Sequence, residues 1–169
     1  MIMTPTDVLK RMKAILEDAV KDIRLEKAVT NSADYKLVKP NVNMCYVPPS
    51  NIAFGGYTVP GVTVFVKGGS DDLEETKLSL MIGIQTYDAG TTNERGELKY
   101  STDGYTDILN LIDIIRVALK TNRKQLELDI EEELKWGFFE EQIHPFWTGF
   151  IELNVRLHPI ANPDLENML

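Results

Sequence analysis

Residues 148–157 read Thr-Gly-Phe-Ile-Glu-Leu-Asn-Val-Arg-Leu. Phe150, Glu152, Asn154 and Arg156 fall on one side, and Ile151, Leu153, Val155 and Leu157 on the other. Strict period-two alternation marks a strand with one buried and one wet face. Such strands belong to antiparallel sheets, because parallel strands are covered on both faces and read as continuous apolar runs. A second stretch, Lys77 to Tyr87 (Lys-Leu-Ser-Leu-Met-Ile-Gly-Ile-Gln-Thr-Tyr), has a near-continuous apolar centre. It predicts a strand buried on both faces, hence in the middle of the sheet.

Working outward, Val59 to Lys67 is β-branched and aromatic, so a strand starts near Val62. Gly68 to Asp72 reads as the turn after it. Val42 to Val47 alternates and is stopped by Pro48-Pro49. Ser50 to Thr58 holds Gly55-Gly56 and reads as a loop, and residues 28–40 read as polar and irregular. Near the far end, Gln125–Ile130 and Glu132–Phe139 predict two further strands, with a turn over residues 140–145. The tail 159–169 carries two prolines and acids, and is expected to be loosely ordered.

Two helices interrupt the strands. Thr4 suits an N-cap, Pro5 the first helical position, and Asp7 lies three residues past the cap. Val8, Leu9, Met12, Ile15, Leu16, Ala19, Val20 and Ile23 then recur at steps of three and four, which makes one apolar stripe. Tyr105 to Lys120 is the second helix, broader in its apolar face through Ile108, Leu109, Leu111, Ile112, Ile115, Val117, Ala118 and Leu119. Thr102 or Asp103 is placed to cap it and Asn122 to close it. Helices and strands do not alternate regularly, which argues against a doubly wound parallel sheet. The fold class expected is α+β, with two helices packed on a mixed, mostly antiparallel β-sheet, in a single domain over 1–169.

A chain of 169 residues buries roughly 70% of its unfolded surface and needs no covalent staples. With 43% apolar and 26% charged residues, it has the composition of a soluble globule. The net charge of −8 argues against nucleic acid as a partner, because a phosphate-binding face must be basic. One cysteine, Cys45, excludes an internal disulfide and any Cys-rich zinc site. The N-terminus lacks a signal-peptide pattern, and the longest apolar runs reach four to five residues, too short for a membrane span. A soluble cytoplasmic chain without membrane partners is expected. The charge is uneven. Residues 1–70 carry 9 basic and 6 acidic side chains, whereas residues 71–169 carry 9 and 20. Opposite-signed halves suit joining of copies by complementarity. The simpler reading is a solvated surface on each half.

No pattern announces catalysis. Asp71, Asp72, Glu74 and Glu75 lack the alternation of a calcium loop and read as solvated turn charges. Glu131, Glu132 and Glu133, with Glu140 and Glu141, read as surface carboxylates. Cys45 with His144 or His158 is the one conventional nucleophile–base combination, but the alternation around Cys45 favours a packed thiol. Ser79 and Ser101 lack a nucleophile elbow. Gly55-Gly56 and Gly68-Gly69 precede no capped helix, so neither is a phosphate loop. Trp136, Phe138, Phe139, Phe146, Trp147 and Phe150 read as packing around the closing hairpin rather than a ligand cleft. No enzyme activity, metal or cofactor is expected. Asp88 to Asp103 is a long polar insertion, and loops of that length are commonly functional.

The order of features resembles a known family. The residues that carry it are Pro40-Asn-Val-Asn-Met-Cys-Tyr-Val-Pro-Pro, Ile82-Gly-Ile-Gln-Thr-Tyr-Asp, the variable loop, and Gly104-Tyr-Thr-Asp-Ile-Leu-Asn-Leu-Ile-Asp-Ile-Ile-Arg-Val-Ala-Leu. Leu134-Lys-Trp and Pro145-Phe-Trp-Thr-Gly-Phe-Ile-Glu-Leu complete it. Over about residues 4–157 the chain resembles the tail terminator (tail-to-head joining) proteins of long-tailed bacteriophages and their prophage remnants. The resemblance implies a homo-oligomer, usually a hexameric ring. The ring caps the tail tube, halts its polymerisation and meets the head–tail connector. It would act in the virion tail after assembly in the bacterial cytoplasm. It implies no catalytic residues, and no binding position is carried over from the family. Within the 88–103 loop, Glu94, Arg95, Glu97 and Lys99 are the expected assembly contacts. The rival reading is an acidic monomeric binding module, immunity- or inhibitor-like, steered to a basic protein partner by the acidic half.

Overall fold

The computed structural model describes residues 3–29, 35–46, 59–72, 74–123 and 128–157. In order, the elements are α1 (Pro5–Ala19), β1 (Leu25–Glu26), β2 (Leu37–Val38), β3 (Asn41–Met44), β4 (Gly61–Asp71), β5 (Thr76–Tyr87), β6 (Thr91–Thr92), β7 (Leu98–Lys99), α2 (Asp103–Thr121), β8 (Asp129–Phe138) and β9 (Phe146–Leu157). Five strands form the main sheet in the order β3-β4-β5-β9-β8. Only β3 and β4 run parallel, and the other three pairings are antiparallel. The α+β class, with a mixed and mostly antiparallel sheet, holds.

β5 and β9 lie at the centre and pair over their full lengths, Thr76 with Leu157 through Tyr87 with Phe146. The alternation of residues 148–157 sets the faces. Ile151, Leu153, Val155 and Leu157 are buried, level with Ile82, Leu80, Leu78 and Thr76 of β5. Both helices cover this one face, α1 over β3 and β4, α2 over β5, β9 and β8.

α1 starts with the expected capping box. Thr4 Oγ1 accepts from the Asp7 amide at 3.2 Å, and the Asp7 carboxylate accepts from the Thr4 amide at 3.0 Å. The cap contributes about 1 kcal/mol. Val8, Leu9, Met12, Ile15 and Leu16 are buried, at about 2 kcal/mol each, so packing on the sheet rather than capping holds this helix. The helix ends at Ala19, before the predicted stripe does. Val20 and Ile23 still pack on the core from the turn that follows.

Several boundaries differ from expectation. β4 continues through Gly68-Gly69-Ser70 to Asp71 by a bulge between Val66 and Gly68. The turn is therefore Asp72–Glu75, where Asp72 Oδ1 accepts from the amides of Glu74 and Glu75. β3 stops at Met44, and Cys45 adopts φ 87° and is exposed. The packed thiol read from alternation is thus corrected: a left-handed residue breaks the strand before its side chain can turn inward. The two strands read at 125–130 and 132–139 are one, β8, irregular between Ile130 and Leu134. The irregular 28–40 segment contributes β1 and β2 to a small ladder. The 50–58 loop, Gln125 and the 159–169 tail lie outside the described residues. Among the described residues, no helix is long and apolar enough to cross a membrane.

The face opposite the helices carries polar cross-strand pairs. Lys67 meets Glu152 at 2.6 Å, Ser79 meets Asn154 at 2.8 Å, and Glu131 takes Lys77 at 2.7 Å and Arg156 at 3.1 Å. Hydrogen bonds from Lys77 and Asn154, with Arg156 beside them, hold the Glu131 carboxyl down to about 2, from an ordinary 4.5. A carboxyl lowered in the fold stabilises it fully above 4.5, and this is lost as pH falls towards 2. Glu131→Gln is expected to cost about 1 kcal/mol at pH 7 and to flatten the fall in stability between pH 4.5 and 2. Urea unfolding along a pH series checks this, and an unaltered acid slope would remove Glu131 from the account.

Candidate functional site

The 88–103 insertion is not structureless. Thr91 pairs with Lys99 and Thr92 with Leu98, so the segment is a hairpin of two-residue strands, β6 and β7. Its turn is built by Asn93 and Gly96. Asn93 Oδ1 accepts from the amides of Arg95 at 3.0 Å and Glu97 at 2.9 Å, and the Asn93 amide donates to the Glu97 carbonyl. Gly96, at φ 78°, sits in the left-handed region that the turn requires. Asn and Gly at these positions are turn residues for these physical reasons.

The base of the hairpin is fixed by Asp88, which is buried. Its carboxylate accepts from the Gly90 amide at 3.0 Å and the Gly104 amide at 3.1 Å. Burial pushes this carboxyl up. The bonds from Gly104, Gly90, Ser101 and Asp103 outweigh that and leave it below its ordinary value. Asp88 therefore supplies the cap that Thr102 or Asp103 was expected to give α2; Asp103 is instead the first residue of the helix. Thr102 stands at the cap position but makes no side-chain bond there, and Gly104 is in the first turn, where orphan amides seek an acceptor. Thr86 Oγ1 donates to the Gly104 carbonyl at 2.7 Å and completes the junction. Around it stand other carboxyls. Glu26 is raised by burial and by the charges of Asp88, Asp107 and Asp103, and Asp107 is raised by burial and by Asp103 and Asp88. At the hairpin's exit, the rings of Tyr100 and His144 meet edge to face at 5.0 Å.

The structure gathers Glu94, Arg95, Glu97 and Lys99 on this one arm, all exposed. The Glu97 carboxylate is held by Asn93 Nδ2 at 2.7 Å, whereas Glu94 sits in the turn. The charged residues read from sequence are joined there by exposed Leu98 and Tyr100, which the charge-based reading passed over. Their signal was present: two short β-favouring runs flank Asn93-x-x-Gly96.

The other candidates disperse. Cys45 follows the edge strand β3, His144 packs on Tyr100, and His158 lies outside the described residues. Asp71 accepts from the Thr76 hydroxyl at 2.6 Å, a turn contact. Among the described residues, no group of three or more His, Cys, Asp or Glu side chains is placed to hold a metal ion. The C-terminal aromatics divide. Phe138 stacks on Tyr105 with centroids 4.1 Å apart and Phe146 packs on Tyr87, while Trp136 and Phe139 remain substantially exposed, with Arg116 lying over the Trp136 ring at 5.0 Å.

Compared with protein-family models and with curated proteins, the chain matches none.

Proposed function

We propose that this chain is a structural subunit that assembles with copies of itself into a ring, in the manner of a tail terminator that closes a phage tail tube and joins it to the head. The observation that carries the reading is the β6–β7 arm. An isolated two-stranded hairpin is marginal in water, yet this one is anchored at its base by the buried Asp88, shaped by Asn93 and Gly96, and presents Leu98, Tyr100 and four charged side chains to solvent. Such an arm suits contact with a neighbouring subunit or with the tube end. Exposed apolar side chains beside mixed charges are the composition of a docking surface.

Deleting residues 91–99 tests it. Gly90 and the Lys99–Tyr100 backbone lie side by side at the base of the hairpin, so a two-glycine linker in place of 91–99 bridges the cut ends. The fold is expected to survive, with stability changed by less than about 1 kcal/mol because only exposed residues leave. Ring formation and tail joining are expected to fall at least tenfold. Unchanged assembly in a folded deletion variant would sink the role of the arm. An acidic binder would instead remain monomeric and capture a basic protein in a strongly salt-dependent way.

A further inference from the structure

We infer that copies of this chain join edge to edge, with β8 of one copy pairing antiparallel to β3 of the next so that their sheets become continuous. The inference rests on the reading of the chain as a self-assembling subunit and names the surfaces that meet. Among the described residues, β3 and β8 each have a hydrogen-bonded neighbour on one side only. Open edges present unpaired amides and carbonyls, which proteins ordinarily blunt or cover.

The free groups on the two edges are in phase. The Asn41 and Cys45 amides donate inward to Pro60 and Val64, so those of Val42 and Met44 turn outward. The Phe139 amide donates inward to Thr148, so Trp136 and Phe138, one residue out of phase with it, turn theirs outward. The register across the sheet places these pairs at equal height. Val42 is level with Val62, Ile84, Gly149 and Phe138, and Met44 with Val64, Ile82, Ile151 and Trp136. β3 and β8 run in opposite directions within the sheet. A copy related by rotation about an axis along the strands therefore sets Val42 opposite Phe138 and Met44 opposite Trp136.

The same register settles the charges. Lys39 comes opposite Glu141, beyond the strand ends, with Lys36 and Glu140 beside them. Residues 35–46 carry Lys36 and Lys39 and no acid, both exposed. The β8 side exposes Glu140 and Glu141 at that end. Apolar side chains are exposed on both partners, Tyr35, Leu37 and Tyr46 on one, Trp136 and Phe139 on the other. The two edges of the sheet thus carry opposite charge at this end, Lys36 and Lys39 against Glu140 and Glu141. A contact between two different patches is the heterologous kind, which closes into a ring where the rotation per copy allows and otherwise extends as a filament.

The test uses the full chain. Lys36→Glu/Lys39→Glu makes both edges negative, and Glu140→Lys/Glu141→Lys makes both positive. Each variant alone is expected to sediment as a 19.1 kDa monomer where the wild type assembles. An equimolar mixture is expected to assemble again, with the variants alternating. In the wild-type assembly, the amides of Val42, Met44, Trp136 and Phe138 are expected to exchange at least tenfold more slowly than in either monomeric variant. Closed rings in which these four amides stay unprotected would overturn the pairing and leave the ring reading standing. Open filaments with the amides protected would support the pairing and overturn the ring. A mixture that stays monomeric, or a wild type monomeric at every concentration, would overturn the pairing.

Discussion

Gly104→Ala is expected to destabilise the protein by about 3 kcal/mol, at the upper end of what overpacking costs. A Cβ at this position would stand 2.3 Å from Trp147 Cδ1, 2.7 Å from its Nε1 and 2.8 Å from Asp88 Cβ. None of these neighbours is the loose end of a flexible chain. Trp147 lies against the core beside Tyr105, and Asp88 is tied to two backbone amides. The added methyl would therefore push the first turn of α2 off its Asp88 cap and off the Thr86 hydroxyl. Urea unfolding measures the loss. Gly137→Ala is the control, since its Cβ would meet only the Phe150 ring at 3.4 Å or beyond, and it should cost far less. Equal midpoints for the two variants would show that Trp147 swings aside.

The second large effect is expected at Ile82. It is fully buried at the centre of β5, with Val64 and Ile151 as its cross-strand neighbours, both also fully buried. Ile82→Ala removes three carbons where strands on both sides and the helices above hold the walls. A loss of about 4 kcal/mol is expected. Ile82→Val, which keeps the branch at Cβ, should lose about 1 kcal/mol. Chemical denaturation of both variants checks the ratio. A loss near 1 kcal/mol for the alanine variant would mean that the core collapses into the space.

What could be read from residues alone follows from how local the physics is. The α1 cap needs only Thr4, Pro5 and Asp7, so it was legible. β5 is central, as its apolar run suggested, but it is not buried on both faces, since Lys77, Ser79, Met81 and Gln85 remain partly exposed on the face that no helix covers. The position of the β6–β7 arm was legible as well, because a long polar insertion is visible as such. The arm's internal order was not, although Asn93 and Gly96 stand in sequence, because two-residue strands carry no periodicity. The cap of α2 was misassigned for a different reason. Its acceptor, Asp88, sits 16 residues before Gly104, and nothing local singles it out over Thr102 or Asp103. Cys45 failed for want of one torsion angle: alternation assumes an unbroken strand, and its φ of 87° breaks it. The two edges became an argument only once the register placed residue 42 level with residue 138.

The position of β9 also governs how the molecule is made. Among the described residues it is the last strand in sequence, and it lies second from one edge, pairing with residues 76–87 through residues 146–157. A ribosome must therefore deliver the chain through Leu157 before β8 has anything to pair with and before α2 has a complete surface to cover. Until then β5 waits with one side bare. Contacts this distant in sequence make folding slow and leave apolar strands exposed meanwhile. Shortening the chain inside β9 should give an insoluble product rather than a smaller folded one, and a cell making this protein has reason to keep chaperones close at hand.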